Sequence, residues 1–85
     1  VGMVNRLYPY GQLIAESTKI AERIAAGPSI SYRYMKENVA HASTVGFAES
    51  LDREAETHIR CSQTEDHIEG VNAFLEKREP AFKGV

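Results

Sequence analysis

Glu54, His58 and Cys61 fall at i, i+4 and i+7 in one stretch of the chain, and all three residue types bind metal ions. On a helix that spacing puts them on one face, with His67 available from the following segment. Three ligands from one helix do not readily close a tetrahedron. The plainer reading is a solvent-edge histidine and a buried thiol, Cys61 packing as a small apolar side chain. Tyr8, Tyr10, Tyr32 and Tyr34 offer rings for stacking, and Arg33 and Lys36 are nearby but isolated. Without a basic surface, packing and interface roles suit these rings better. Phe74 shares an apolar stripe with Ile68, Val71 and Leu75, and Lys77 follows it by three residues. On residue type alone, Phe74 reads as core and Lys77 as a cation complementing the negative end of a helix. No Ser-His-Asp arrangement and no glycine-rich phosphate loop is visible.

Composition narrows the classes further. The chain has 85 residues, of which 42% are hydrophobic, so one small domain with a marginal core is expected. Disulfides within the chain are excluded by its single cysteine, and a lone thiol suits a reducing compartment. Twelve acidic against 10 basic side chains give a net charge of −2, which argues against general nucleic-acid binding. No apolar run approaches the roughly 20 residues of a membrane span, and the opening VGMVNRLYPYG lacks the layout of a secretory signal. These features lead us to expect a soluble intracellular protein. The absence of an initial Met suggests a processed or excised piece.

The elements that must position these residues are punctuated clearly. Residues 1–9 form a short apolar lead-in that ends at Pro9, a connection from something upstream. A first helix is expected from Gly11 to Ala26, with Leu13, Ile14, Ala21, Ile24 and Ala25 recurring on one face. Lys19 and Glu22 are spaced for a weak ion pair. Gly27-Pro28 stops the helix, with the glycine suited to a left-handed cap. A second helix starts near Ser29, carries Tyr32, Met35, Val39 and Ala42, and ends between Thr44 and Gly46. A third begins at Phe47 and fades at Ser62-Gln63, with Glu49, Asp52, Glu54 and Glu56 near its positive pole. Thr64 caps a fourth helix that Glu76-Lys77-Arg78 ends with two cations, before Pro80 breaks it and residues 81–85 form a tail. Gly70, mid-helix, should cost about 1 kcal/mol relative to alanine, and such a glycine often lets another backbone come close. The fold class is therefore all-α, with three to four helices over residues 10–85.

The stretch from Thr64 to Gly84 carries a specific pattern: Thr-x-Asp, then Glu69-Gly70, Ala73-Phe74, Glu76-Lys77-Arg78 and Pro80-x-Phe82-x-Gly84. It resembles the closing signature of the enoyl-CoA hydratase/isomerase (crotonase) family in both order and spacing. Weaker likeness extends upstream. Gly2-Met3-Val4 resembles the family's Gly-Leu-Val segment, Pro28 with Lys36 its Pro-to-Lys spacing, and Leu51 with Glu54 its Leu-x-x-Glu.

The resemblance implies that residues 10–85 form the C-terminal oligomerisation or lid domain of a crotonase-type fold, joined by residues 1–9 to an N-terminal core. In the family that core holds the oxyanion hole for an acyl-CoA thioester and, in hydratases, two catalytic glutamates. None of these lies within the 85 residues, so the segment alone is expected to be inactive and to carry no catalytic residue, no metal and no cofactor. It would serve subunit assembly, as a trimer or hexamer, and part of the CoA site. By motif position, Phe74 resembles the aromatic lining the acyl or pantetheine pocket, and Lys77 the lysine near the CoA phosphates. Arg78 and Lys83 would add positive potential. The whole protein would act on enoyl-CoA thioesters of fatty-acid metabolism, in the cytoplasm, or in the mitochondrial matrix of a eukaryote. A free-standing helical module that binds a protein helix is the alternative.

Overall fold

The computed structural model describes all residues from 1 to 85. Residues 1–9 form no regular structure and run beside the first helix, where Met3, Val4 and Tyr8 face Leu13, Ile20 and Ile24 across an open groove. A 3-10 turn over Tyr10–Gln12 leads into α1, Leu13–Ala25. Then come α2 (Ser29–Ala42), α3 (Phe47–Ser62) and α4 (Glu65–Glu76). All of the regular structure is helical, as the apolar periodicity dictates, and no helix is long and apolar enough to cross a membrane.

The ends of these helices follow local chemistry, with two surprises. Thr64 caps α4 as expected, its hydroxyl accepting the His67 N–H at 3.1 Å. Gly27 does not take the left-handed conformation; instead the ring and hydroxyl of Tyr32 pack over the space a side chain would fill. Pro28 still fixes the entry to α2. The left-handed position belongs to Lys77, with φ 55° and ψ 42°. The Lys77 N–H reaches the Phe74 carbonyl at 3.3 Å and the Arg78 N–H reaches that of Ala73 at 3.0 Å, the paired bonds of a Schellman stop. So the two cations expected to finish α4 lie past its last turn.

Packing between helices is sparse and partly polar. The α2–α3 hairpin is joined by the Asn38 amide donating to Thr57 Oγ1 at 2.9 Å and by an Arg53–Glu37 pair at 3.2 Å. His41 Nε2 lies 3.6 Å from Glu49. Lys19 pairs with Glu16 at 2.7 Å rather than with Glu22, because the preceding turn offers the nearer carboxylate. Arg33 stacks on Tyr34, 4.8 Å from the ring centroid, so this tyrosine's face is occupied from within the chain.

Ala73 is the one buried apolar residue, at 1% exposure; Thr57 and Asp66 are the other buried residues. Met35, Val39, Phe47, Leu51 and Ile59 all remain exposed. Cys61 is partly exposed, not buried, since no core closes around it. The radius of gyration is 16.2 Å. A compact chain of this length would have one of about 12 Å.

Candidate functional site

The best-built region is α4 with the tail that follows it. The left-handed turn at Lys77 ends α4, and beyond Pro80 the chain runs back along the helix toward its N-terminus. Asp66, in the first turn, is 4% exposed and holds the returning tail. Its Oδ1 accepts the Lys83 N–H at 2.7 Å, and its Oδ2 accepts the Gly84 N–H at 2.8 Å. The Asp66 N–H donates to the Val85 carbonyl at 3.0 Å. Gly84 has φ +77°, and a side chain there would strike Ser29 Oγ, so only glycine suits this turn.

One helical turn along, Glu69 forms the second anchor. It accepts the Ala81 N–H at 2.8 Å and receives a two-pronged contact from Arg78, with Nη1 at 2.6 Å and Nη2 at 3.0 Å. This guanidinium fork and the Ala81 bond hold the Glu69 carboxyl at a pKa of about 2, well below its ordinary value. Arg78 also gives Nε to Glu76 at 2.6 Å. Its charge is thus spent between two carboxylates, which removes it from the positive surface expected at this end of α4.

Between the two anchored stretches sits Phe82. Its ring lies over Gly70, 3.6 Å from where a side-chain carbon on that residue would sit. What approaches Gly70 is therefore an aromatic ring at ordinary contact distance, not a backbone. Phe82 and Phe74 line one groove of about 370 Å³, together with Pro28, Ser31, Val71 and Leu75. Phe74 is 83% exposed, so it is not core. Lys77 is exposed and belongs to none of the ion pairs. Glu54, His58 and Cys61 are not gathered with any neighbour into a group that could hold a metal ion.

Sequence reasoning singled out Phe74 and Lys77 and missed Asp66, Glu69, Ala81 and Gly84 as one interacting set. A signal existed. Asp66 and Glu69 are three apart on one helical face, and a proline-glycine tail follows them.

An all-helical segment with a strapped tail and almost no core of its own is the class these features define. The sequence model of the enoyl-CoA hydratase/isomerase family matches residues 1–85. The chain belongs to that family. It is 34% identical over 82 residues to the mitochondrial enoyl-CoA hydratase of Pongo abelii, covering 96% of this chain and 28% of that protein. It is equally similar, 34% over 83 residues, to the trans-2-decenoyl-acyl-carrier-protein isomerase of Streptococcus mutans, covering 98% of this chain and 32% of that one. Among solved structures, an enoyl-CoA hydratase subunit I from Geobacillus kaustophilus superposes with a TM-score of 0.88 at 36% identity, over 99% of this chain and 33% of that one. The chain thus spans about a third of the length of the relatives it matches.

Proposed function

We propose that this segment is the C-terminal helical part of an enzyme acting on acyl thioesters of coenzyme A, where it joins subunits and supplies part of the coenzyme site. The observation that carries the assembly role is the lack of an apolar core: of the apolar residues only Ala73 is buried, while large side chains on every helix face outward. Helices with exposed apolar faces reach stability by covering them against other parts of the protein or other copies. Residues 1–9 connect the segment to the core that carries the reacting groups, and residues 10–85 form the helical cap. Relatives at the same identity are named for hydration and for isomerisation, so the segment does not choose the reaction.

For the coenzyme, Phe74 offers an exposed ring to the acyl or pantetheine portion, and Lys77 an uncommitted ammonium to the phosphates. Binding measurements on the full-length protein test this. Lys77→Ala should weaken binding of butyryl-CoA about tenfold, near the low end for a charge-assisted hydrogen bond. Its affinity for butyryl-pantetheine, which has no phosphates, should not change. Equal loss for both compounds would show that Lys77 does not meet the phosphates.

A further inference from the structure

Lys77 has a backbone conformation unusual for a lysine. Its φ of 55° and ψ of 42° lie in the left-handed region, and it is the one residue other than glycine with a positive φ. Glycine is the common residue at a helix stop of this kind, because it enters that region without the penalty a side chain meets. No ion pair compensates the lysine, whose ammonium meets no carboxylate. A strained residue without an internal partner points to a use outside the chain.

The turn is clamped on both sides. On the helix side, the Lys77 and Arg78 N–H groups close back on the Phe74 and Ala73 carbonyls. On the tail side, Glu69 holds the departing chain twice. Its carboxylate receives the Arg78 fork at 2.6 and 3.0 Å and the Ala81 N–H at 2.8 Å. One side chain from the middle of α4 thus fixes the path by which the chain leaves Lys77, and with it the direction of the Lys77 side chain. Pairing Arg78 with Glu69 and Glu76 also keeps that guanidinium from standing in for the lysine. The contact of an ammonium with a phosphate oxygen weakens steeply with distance and angle, so the lysine's placement decides its strength.

We propose that Glu69 and Arg78 are positioning residues for the coenzyme: their ion pair clasps the left-handed turn and so sets where the Lys77 ammonium meets the phosphates. This rests on the reading above that Lys77 takes those phosphates. It adds the device that aims the lysine, and a reason for a strained residue at this helix stop.

The experiment measures Kd for butyryl-CoA and butyryl-pantetheine on the full-length protein, and the ratio of the two affinities reports what the phosphate-bearing end contributes. Arg78→Lys keeps the charge but cannot form the fork, and Glu69→Gln removes the carboxylate. Each should lower the ratio about threefold, within the coupling expected between members of one network. In a Lys77→Ala background neither should lower it further. Lys77→Gly should raise the thermal unfolding midpoint, by relieving the backbone, and lower the ratio as far as Lys77→Ala does. An unchanged or raised ratio in Arg78→Lys or Glu69→Gln overturns the proposal, a rise in Glu69→Gln meaning that the freed guanidinium binds phosphate by itself. The same loss with Lys77 absent also overturns it, since the effect would not pass through the lysine. A midpoint that does not rise in Lys77→Gly removes the strain from which the role is inferred, and overturns it too. Should Glu69→Gln fail to fold, Arg78→Lys decides alone. If Lys77→Ala leaves the ratio unchanged, the phosphate reading itself falls. If it lowers the ratio while the clasp variants do not, only the positioning role falls.

Discussion

The residues of the closing motif divide into a structural majority and an exposed pair. Asp66, Glu69, Arg78 and Gly84 are engaged with the tail, whereas Phe74 and Lys77 project without partners inside the chain. Glu69 gives the structural part a pH signature. Its carboxyl is held at about 2 against an ordinary 4.5, so the unfolded chain takes up the proton first as pH falls. The stabilisation from the Arg78 fork is therefore complete above pH 4.5 and drains away between there and about pH 2. Thermal unfolding midpoints should fall across that window. Glu69→Gln, which has no charge to lose, should start lower at neutral pH and give a flatter profile. A wild-type profile no steeper than the variant's would remove Glu69 from this role. Lys77 is the other residue-scale feature, since a side chain in the left-handed region costs about 1–2 kcal/mol that glycine would avoid.

At the scale of the element, α4 contains its own test. Gly70 weakens the helix, yet within this chain nothing requires it: an added methyl would meet the Phe82 ring at ordinary contact distance. Gly70→Ala should therefore stabilise α4 by up to about 1 kcal/mol, read from helicity and urea unfolding of the chain. Destabilisation would mean that something closer than Phe82 sits over this position. The α2–α3 hairpin has a contrasting design. Its internal seam uses Asn38, Thr57, Glu37 and Arg53, which leaves the apolar residues Met35, Val39, Phe47 and Leu51 pointing outward.

That arrangement sets the behaviour of the whole molecule. Covering one large apolar side chain is worth about 1.5–3 kcal/mol, and this chain leaves many uncovered. The chain alone should associate with itself or bind a hydrophobic dye such as ANS, both measurable by sedimentation and fluorescence at micromolar concentration. A monodisperse monomer that binds no dye would contradict the exposed faces described here.

Sequence by itself determined the helices, their order and most of their ends. Apolar spacing, Thr64 and Pro80 act within one or two turns, and such local effects can be read without knowing what lies across the molecule. It also determined the family, through Thr64–Gly84. Only the tertiary structure decided which cations are free and which are spent. Arg78 and Lys77 are adjacent and alike in charge, but the Arg78 guanidinium meets a glutamate nine residues back and the Lys77 ammonium pairs with no carboxylate. It likewise decided that Asp66 serves the tail rather than only the helix dipole, because the partners, Lys83 and Gly84, are 17 and 18 residues away. Contacts that close over such separations depend on where the chain turns back, and no local pattern in the residues records that path.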